Sequence, residues 1–175
     1  GNGSLMRLAP VVLFYFPNAL DIDQFCAESS RTTHGADEAI DCCRLLGYRL
    51  ALALNGLPKP DVLSEPYPNP LTSKVETLAQ GTYLTKTRDD IRGSGYCVAS
   101  LEAALWCFAN SNSFEETILS AANLGDDADT TAAIAGQLAG AYYGASTIPP
   151  TWLHHLHLCD EIRQYAERMF ARLPR

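Results

Sequence analysis

Gly125-Asp126-Asp127-Ala128-Asp129-Thr130-Thr131-Ala132-Ala133-Ile134-Ala135-Gly136-Gln137-Leu138-Ala139-Gly140-Ala141-Tyr142-Tyr143 is the most distinctive stretch of the chain. A glycine leads into a cluster of acids, and the acids open a run of small and apolar residues. Ala132, Gly136, Gly140 and Gly144 recur at helical spacing and share one face. Their missing bulk leaves a groove that a second helix can enter. In a lipid bilayer such a stripe would suggest a dimerising span. The acidic start and short length of 127–143 instead predict close packing inside a soluble helical bundle.

Other periodicities agree. Leu5 to Tyr15 fits a buried helix or a strand, and its surroundings favour helix, ended by Pro17. A short helix is expected from Asp21 to about Glu28. From Ala36 to Asn55, Ile40, Cys43, Leu46, Leu50 and Leu54 mark an apolar face, and Gly56 with Pro58 stops the run. Leu57 to Asn69 is proline-rich and reads as a surface loop, followed by a poorly patterned stretch from Leu71 to Asp90. Leu101, Leu105 and Phe108 line one face of a helix over Tyr96–Asn110. Ser113 with Glu116 forms a capping box opening a helix to about Asn123. An amphipathic helix closes the chain from Asp160 to Arg172. No segment alternates as a strand, so the class is all-α and residues 1–175 form part of one domain.

The chain has 175 residues, 47% of them hydrophobic and 19% charged, enough to bury a core. A net charge of -7 argues against a nucleic-acid partner, which needs a basic face. It leaves room for a small anionic ligand held by backbone N–H groups or a cation. Leu8 to Phe16, the most apolar run, is too short to cross a membrane and contains Pro10. Six cysteines, Cys26, Cys42, Cys43, Cys97, Cys107 and Cys159, lack any C-x-x-C pair and fall mostly on apolar helical faces. They read as reduced buried thiols of a cytoplasmic protein; an even number leaves a disulfide framework open, although neighbours Cys42 and Cys43 point apart on a helix.

Three constellations carry chemistry. Asp126, Asp127, Asp129 and Thr130 suit the positive end of a helix as caps. So many carboxylates so close also repel one another, which a hard cation relieves, and Mg²⁺ takes oxygen ligands. Capping and metal binding both stand on this pattern. An EF-hand does not: counted from Asp127, its last ligand would be Leu138. A diphosphate-processing site of the isoprenoid type is only approximated. Two glycine loops, Gly1-Asn2-Gly3-Ser4 and Gly93-Ser94-Gly95-Tyr96, each lead into an apolar helix and either turn the chain or cradle oxygens. His34 sits in a polar loop as a cap or a ligand contact. His154, His155 and His157 lack a familiar zinc spacing and read as surface.

In this order the motifs resemble those of the ADP-ribosylglycohydrolase family, whose enzymes remove ADP-ribose from arginine on dinitrogenase reductase and other proteins. Asn2 to Pro10 is similar to the family's Gly-Asn-Gly…Met-Arg segment, and Ser30-Arg31-Thr32-Thr33-His34 to its Thr-His loop. Gly95-Tyr96 through Ser100-Leu101-Glu102-Ala103-Ala104-Leu105-Trp106 resembles its Gly-Tyr…Leu-Glu-Ala-Ala-Leu-Trp helix. Gly125 to Thr130 resembles its Gly-x-Asp-x-Asp-Thr metal motif, with Asp126 where glycine is frequent.

The resemblance implies an orthogonal multi-helix bundle around two Mg²⁺ ions, with Mn²⁺ an alternative. It implies Asp127, Asp129 and Thr130 as ligands, the two carboxylates also serving catalysis. Asn2, Gly3, Ser4, His34, Ser94, Gly95 and Tyr96 would line the ADP-ribose pocket of a protein acting on ADP-ribosylated proteins, through arginine nitrogen or a serine-type oxygen. The family's acidic Thr-Asp-Asp segment is not in this sequence. The expectation is therefore a C-terminal part of the domain, weak in Mg²⁺ binding and turnover by itself, and restored by an N-terminal partner fragment. A non-catalytic ADP-ribose-binding or structural relative is the competing reading.

Overall fold

The computed structural model describes residues 1–171. Its helices are α1 (Gly3–Met6), α2 (Ala9–Tyr15), α3 (Ala19–Arg31), α4 (Asp37–Leu54), α5 (Lys59–Ser64), α6 (Ser73–Ala79), α7 (Cys97–Ala109), α8 (Phe114–Ala122), α9 (Ala128–Tyr143), α10 (Pro150–His155) and α11 (Cys159–Phe170). No strand occurs among the described residues, so the all-α class holds.

The 18-residue α4 is the axis of the bundle, packed by α3, α7 and α9 and by the short N-terminal helices. Leu45, Leu46 and Leu50 are buried on it. Gly47 lets α3 approach: a Cβ there would lie 2.5 Å from Cys26 Sγ and 3.4 Å from Ile22 Cγ2. The small stripe of α9 faces α8, as its composition predicts. A Cβ on Gly136 would come within 3.0 Å of Ile118 Cδ1, and one on Gly140 within 3.9 Å of Phe114 Cε2. The cysteines are free thiols, all buried except Cys159, and no disulfide framework forms among them. Among the described residues no helix is long and apolar enough to cross a membrane.

Some boundaries differ from expectation. The helix expected over Leu5–Tyr15 is broken at Arg7 and Leu8, because Pro10 takes the first turn of α2, where its missing N–H is harmless. The helix expected from Asp21 starts earlier. Asn18 caps α3, its side-chain oxygen accepting from Leu20 N (3.1 Å) and Asp21 N (3.3 Å). The expected loop Leu57–Asn69 contains α5, again with proline in its first turn. The unpatterned stretch contains α6 and two 3₁₀ turns. The capping box is displaced by one residue: Ser113 accepts from Glu116 N at 3.1 Å, but Glu116 accepts from Asn112 N at 2.6 Å. The expected end of the last helix, Arg172, lies outside the described residues.

Buried Arg49 explains how α5 and α6 are held without strong patterns of their own. Its guanidinium donates to Glu65 O (2.6 Å) at the end of α5 and to Ala79 O (3.0 Å) at the end of α6. These are carbonyls that helix ends leave free. Arg44 bridges Asp23 (3.0 Å) and Asp41 (2.9 Å), while Asp41 accepts from Thr72 N at 2.7 Å, fastening the start of α6 to α3 and α4.

Candidate active site

Three loops far apart in sequence meet where α1, α7 and α9 begin. The chain leaves α8 through Leu124, where Arg88 donates to Asn123 O (3.2 Å) and Leu124 O (3.1 Å). Gly125 and Asp126 then take positive φ, 79° and 53°. Glycine adopts this freely and aspartate tolerates it better than most residues. The double turn places Asp127 N on Gly93 O at 2.7 Å, locking the metal-like motif against the second glycine loop. Gly93 fits closely there: a Cβ would sit 3.0 Å from Thr131 Oγ1 and 3.4 Å from Gly125 O.

Asp127 stands at the N-cap of α9, yet its carboxylate accepts no backbone N–H of that helix. Instead Oδ2 accepts from Asn2 Nδ2 at 2.6 Å and Oδ1 accepts from Thr130 Oγ1 at 3.0 Å. Capping accounts for the position of Asp127 but not for the direction of its carboxylate. Asn2, buried, also donates to Ser100 Oγ at 2.8 Å, and Ser100 donates to Ser94 O at 2.5 Å. One network thus joins Asn2, Ser94, Ser100, Asp127 and Thr130. Asp129 is exposed in the first turn of α9, with Asp126 exposed beside it.

Around this centre the other expected residues divide. His34 lies against the first loop; a Cβ on Gly3 would be 3.0 Å from its Cε1 and one on Gly1 3.1 Å from its Nε2. Gly95 is open, and a Cβ there would meet Asp127 Oδ2 at an ordinary 3.8 Å. Tyr96 is exposed at the rim; its hydroxyl donates to Glu38 Oε2 at 2.5 Å and accepts from Lys74 Nζ at 2.9 Å. The Tyr96 hydroxyl first, with Lys74, holds the Glu38 carboxyl below its usual range. The side chain of Ser4 is wholly buried, accepting from Ser30 Oγ at 3.0 Å and Cys43 Sγ at 3.4 Å, so its hydroxyl faces the core. His154, His155 and His157 are exposed, and no group of His, Cys, Asp or Glu fit to hold a metal by itself occurs among the described residues.

The reading of the sequence missed Ser100, Glu38 and Lys74. Ser100 left a signal, a hydroxyl on the buried face of an apolar helix. Glu38 and Lys74 left none, because they meet only through Tyr96. Directly after Tyr96, Cys97 opens α7 with its thiol lowered to about 7, chiefly by the hydrogen bond with Cys42, whose own thiol is pushed well up.

The family model of ADP-ribosylglycohydrolase matches residues 1–175. The chain belongs to the ADP-ribosylglycohydrolase family. ADP-ribosylarginine hydrolase Tri1 of Pseudomonas putida (strain GB-1) is 47% identical over 174 residues, covering 99% of this chain and 47% of that protein. ADP-ribosyl-[dinitrogen reductase] glycohydrolase of Rhodospirillum rubrum is 28% identical over 173 residues, covering 98% of this chain and 56% of its own length. A solved structure described as an ADP-ribosylglycohydrolase-related protein complex superposes with a TM-score of 0.88 at 39% identity, covering 98% of this chain and 60% of that one. The chain spans about half the length of the curated relatives it matches.

Proposed function

We propose that these residues form one side of a Mg²⁺-dependent site that hydrolyses the glycosidic bond between ADP-ribose and a protein side chain. Arginine N-linked substrates come first, as in the name of the 47% identical relative, and serine-type O-linked ones second. The observation that carries this reading is the carboxylate of Asp127, turned away from helix capping and held between Asn2 and Thr130.

The donor chemistry fits the ion. Asp127, Asp129 and Thr130 offer hard oxygens, which suit Mg²⁺ and also Mn²⁺, and Mg²⁺ normally keeps water or ligand oxygens in the rest of its shell. These three residues would hold one side of a binuclear centre. When bound, the ions supply electrostatic stabilisation to ribose hydroxyls and to a water. The chain's own groups do the remainder. Asn2 fixes the Asp127 carboxylate; exposed Asp129 accepts the water's proton as general base. Gly3, Gly95 and Ser94 let the ligand approach backbone N–H groups, while His34 and Tyr96 wall the pocket. The anomeric carbon passes through an oxocarbenium-like state as its bond to the nitrogen or oxygen breaks and a bond to the water oxygen forms, and the proton taken by Asp129 goes on to the departing nitrogen or oxygen.

The test is release of free ADP-ribose from an ADP-ribosylated arginine peptide by the intact protein, alongside calorimetry of ADP-ribose with and without Mg²⁺. Asp129→Asn is expected to abolish release while leaving the fold intact. Release that survives both chelation and Asp129→Asn would refute the assignment. Binding of ADP-ribose without release by the wild type would instead favour a binding module.

A further inference from the structure

Ser100, the fourth residue of α7, is wholly buried, as are Leu101, Ala103 and Ala104 after it. A buried hydroxyl costs free energy unless its hydrogen and its lone pairs find partners. The hydrogen goes to Ser94 O at 2.5 Å, a carbonyl that can only accept. The lone pairs then need a donor, and Asn2 Nδ2 supplies one at 2.8 Å. The second hydrogen of that amide goes to Asp127 Oδ2 at 2.6 Å. Ser94 O also stands near Nδ2, but at 3.5 Å it is a poor substitute for the Ser100 hydroxyl. These directions keep the Asn2 amide from turning over. With its oxygen inward it would face a carboxylate, a carbonyl and a serine whose hydrogen is already placed. Asn2 and Ser100 are both buried, so water does not compete for these positions.

We infer that Ser100 is a positioning residue: its hydroxyl, committed to Ser94 O, turns the NH2 group of Asn2 inward and so holds the Asp127 carboxylate in the direction that serves a cation. The orientation of Asn2 follows from the contacts alone. Its value to Mg²⁺ rests on the reading of the site proposed above. Ser100 acts through Asn2, and the chain of donors ends on a backbone carbonyl of the second glycine loop. That loop is thus coupled to Asp127 by two side chains as well as by the bond from Asp127 N to Gly93 O. A purely structural role would stop at Ser94 O, closing the entry to α7 without any effect on Asn2.

NMR of the Asn2 side-chain amide in the intact, metal-free protein separates the two roles, with Asn2→Leu giving the assignment. Ser100→Ala removes the acceptor and should speed exchange of the amide hydrogens with water by about tenfold, the worth of one buried hydrogen bond. Calorimetry with Mg²⁺ alone should show affinity falling by a similar factor. Ser111→Ala is the control for lost stability. It removes another buried hydroxyl, which donates to Cys107 O at 2.7 Å beyond the far end of α7, and should change neither measurement. Ser100→Cys, a weaker donor and acceptor, should fall between wild type and Ser100→Ala. All are compared well below the temperature at which each unfolds. An Asn2 amide that exchanges no faster in Ser100→Ala than in Ser111→Ala would overturn the inference. So would Mg²⁺ affinity that holds although the amide is freed. Amide protection lost in Ser100→Ala, where the wild type has no affinity for Mg²⁺, would uphold the positioning of Asn2 and overturn the metal reading instead.

Discussion

Asn2→Asp exchanges an amide for a carboxylate of the same size at the centre of the polar network. In the native protein Asn2 Nδ2 donates to Asp127 Oδ2 at 2.6 Å and to Ser100 Oγ at 2.8 Å. The new carboxylate has no hydrogen to donate and faces another negative charge. The lost charge-assisted bond costs about 1.5–2 kcal/mol. Two unit charges about 4 Å apart repel by about 4 kcal/mol at an effective dielectric near 20, and the partial exposure of Asp127 reduces this to about 2 kcal/mol. Together they make about 3.5–4 kcal/mol, which for a chain of this size lowers Tm by roughly 7–16 °C. Asn2→Leu, which loses the bonds without adding charge, should fall less. Both are read by thermal unfolding in chelator at low salt, where screening is weakest. Added Mg²⁺ should raise the Tm of Asn2→Asp more than that of the wild type, because a cation between the two carboxylates removes their repulsion. Asn2→Asp no less stable than Asn2→Leu in chelator would refute the reasoning.

Other outcomes follow from single contacts. Gly47→Ala forces a methyl group to 2.5 Å from Cys26 Sγ and should cost about 1–3 kcal/mol in denaturant unfolding, with a second change Cys26→Ala recovering most of it. Gln137→Ala removes the acceptor of Ala9 N (2.6 Å) and the donor to Leu5 O (2.8 Å), and should lower stability by about 1–3 kcal/mol while exposing the α1–α2 turn to faster amide exchange. Glu38 is held below its ordinary value of 4.5, chiefly by Tyr96. The unfolded chain therefore takes up that proton first on acidification. The stability the contact gives is present above pH 4.5 and fades below it. The difference in Tm between wild type and Tyr96→Phe should accordingly shrink as pH falls through that range.

The long helices were legible because their sequences repeat one physical demand. Leu46, Leu50 and Leu54 on α4, and Gly136 and Gly140 on α9, mark the sides that neighbours must reach. Asn55 and Asn110 end α4 and α7 where expected. The short helices were hidden for a reason equally physical. Pro60 suits the first turn of α5 but reads as a loop former, and the carbonyls of α5 and α6 are satisfied by Arg49 from another helix. In the site, the acids and glycines of 125–130 announced a charged turn. Their pairing with Asn2 left no local trace, since it spans a separation of 125 residues.

That separation between Asn2 and Asp127 has a consequence for how the protein comes into being. During synthesis the residue that orients the carboxylate is made 125 residues ahead of it, and α9 must emerge and dock on α4, α7 and α8 before the amide has that partner. A ligand held at Asp127 would add its binding free energy to the stability of the whole bundle.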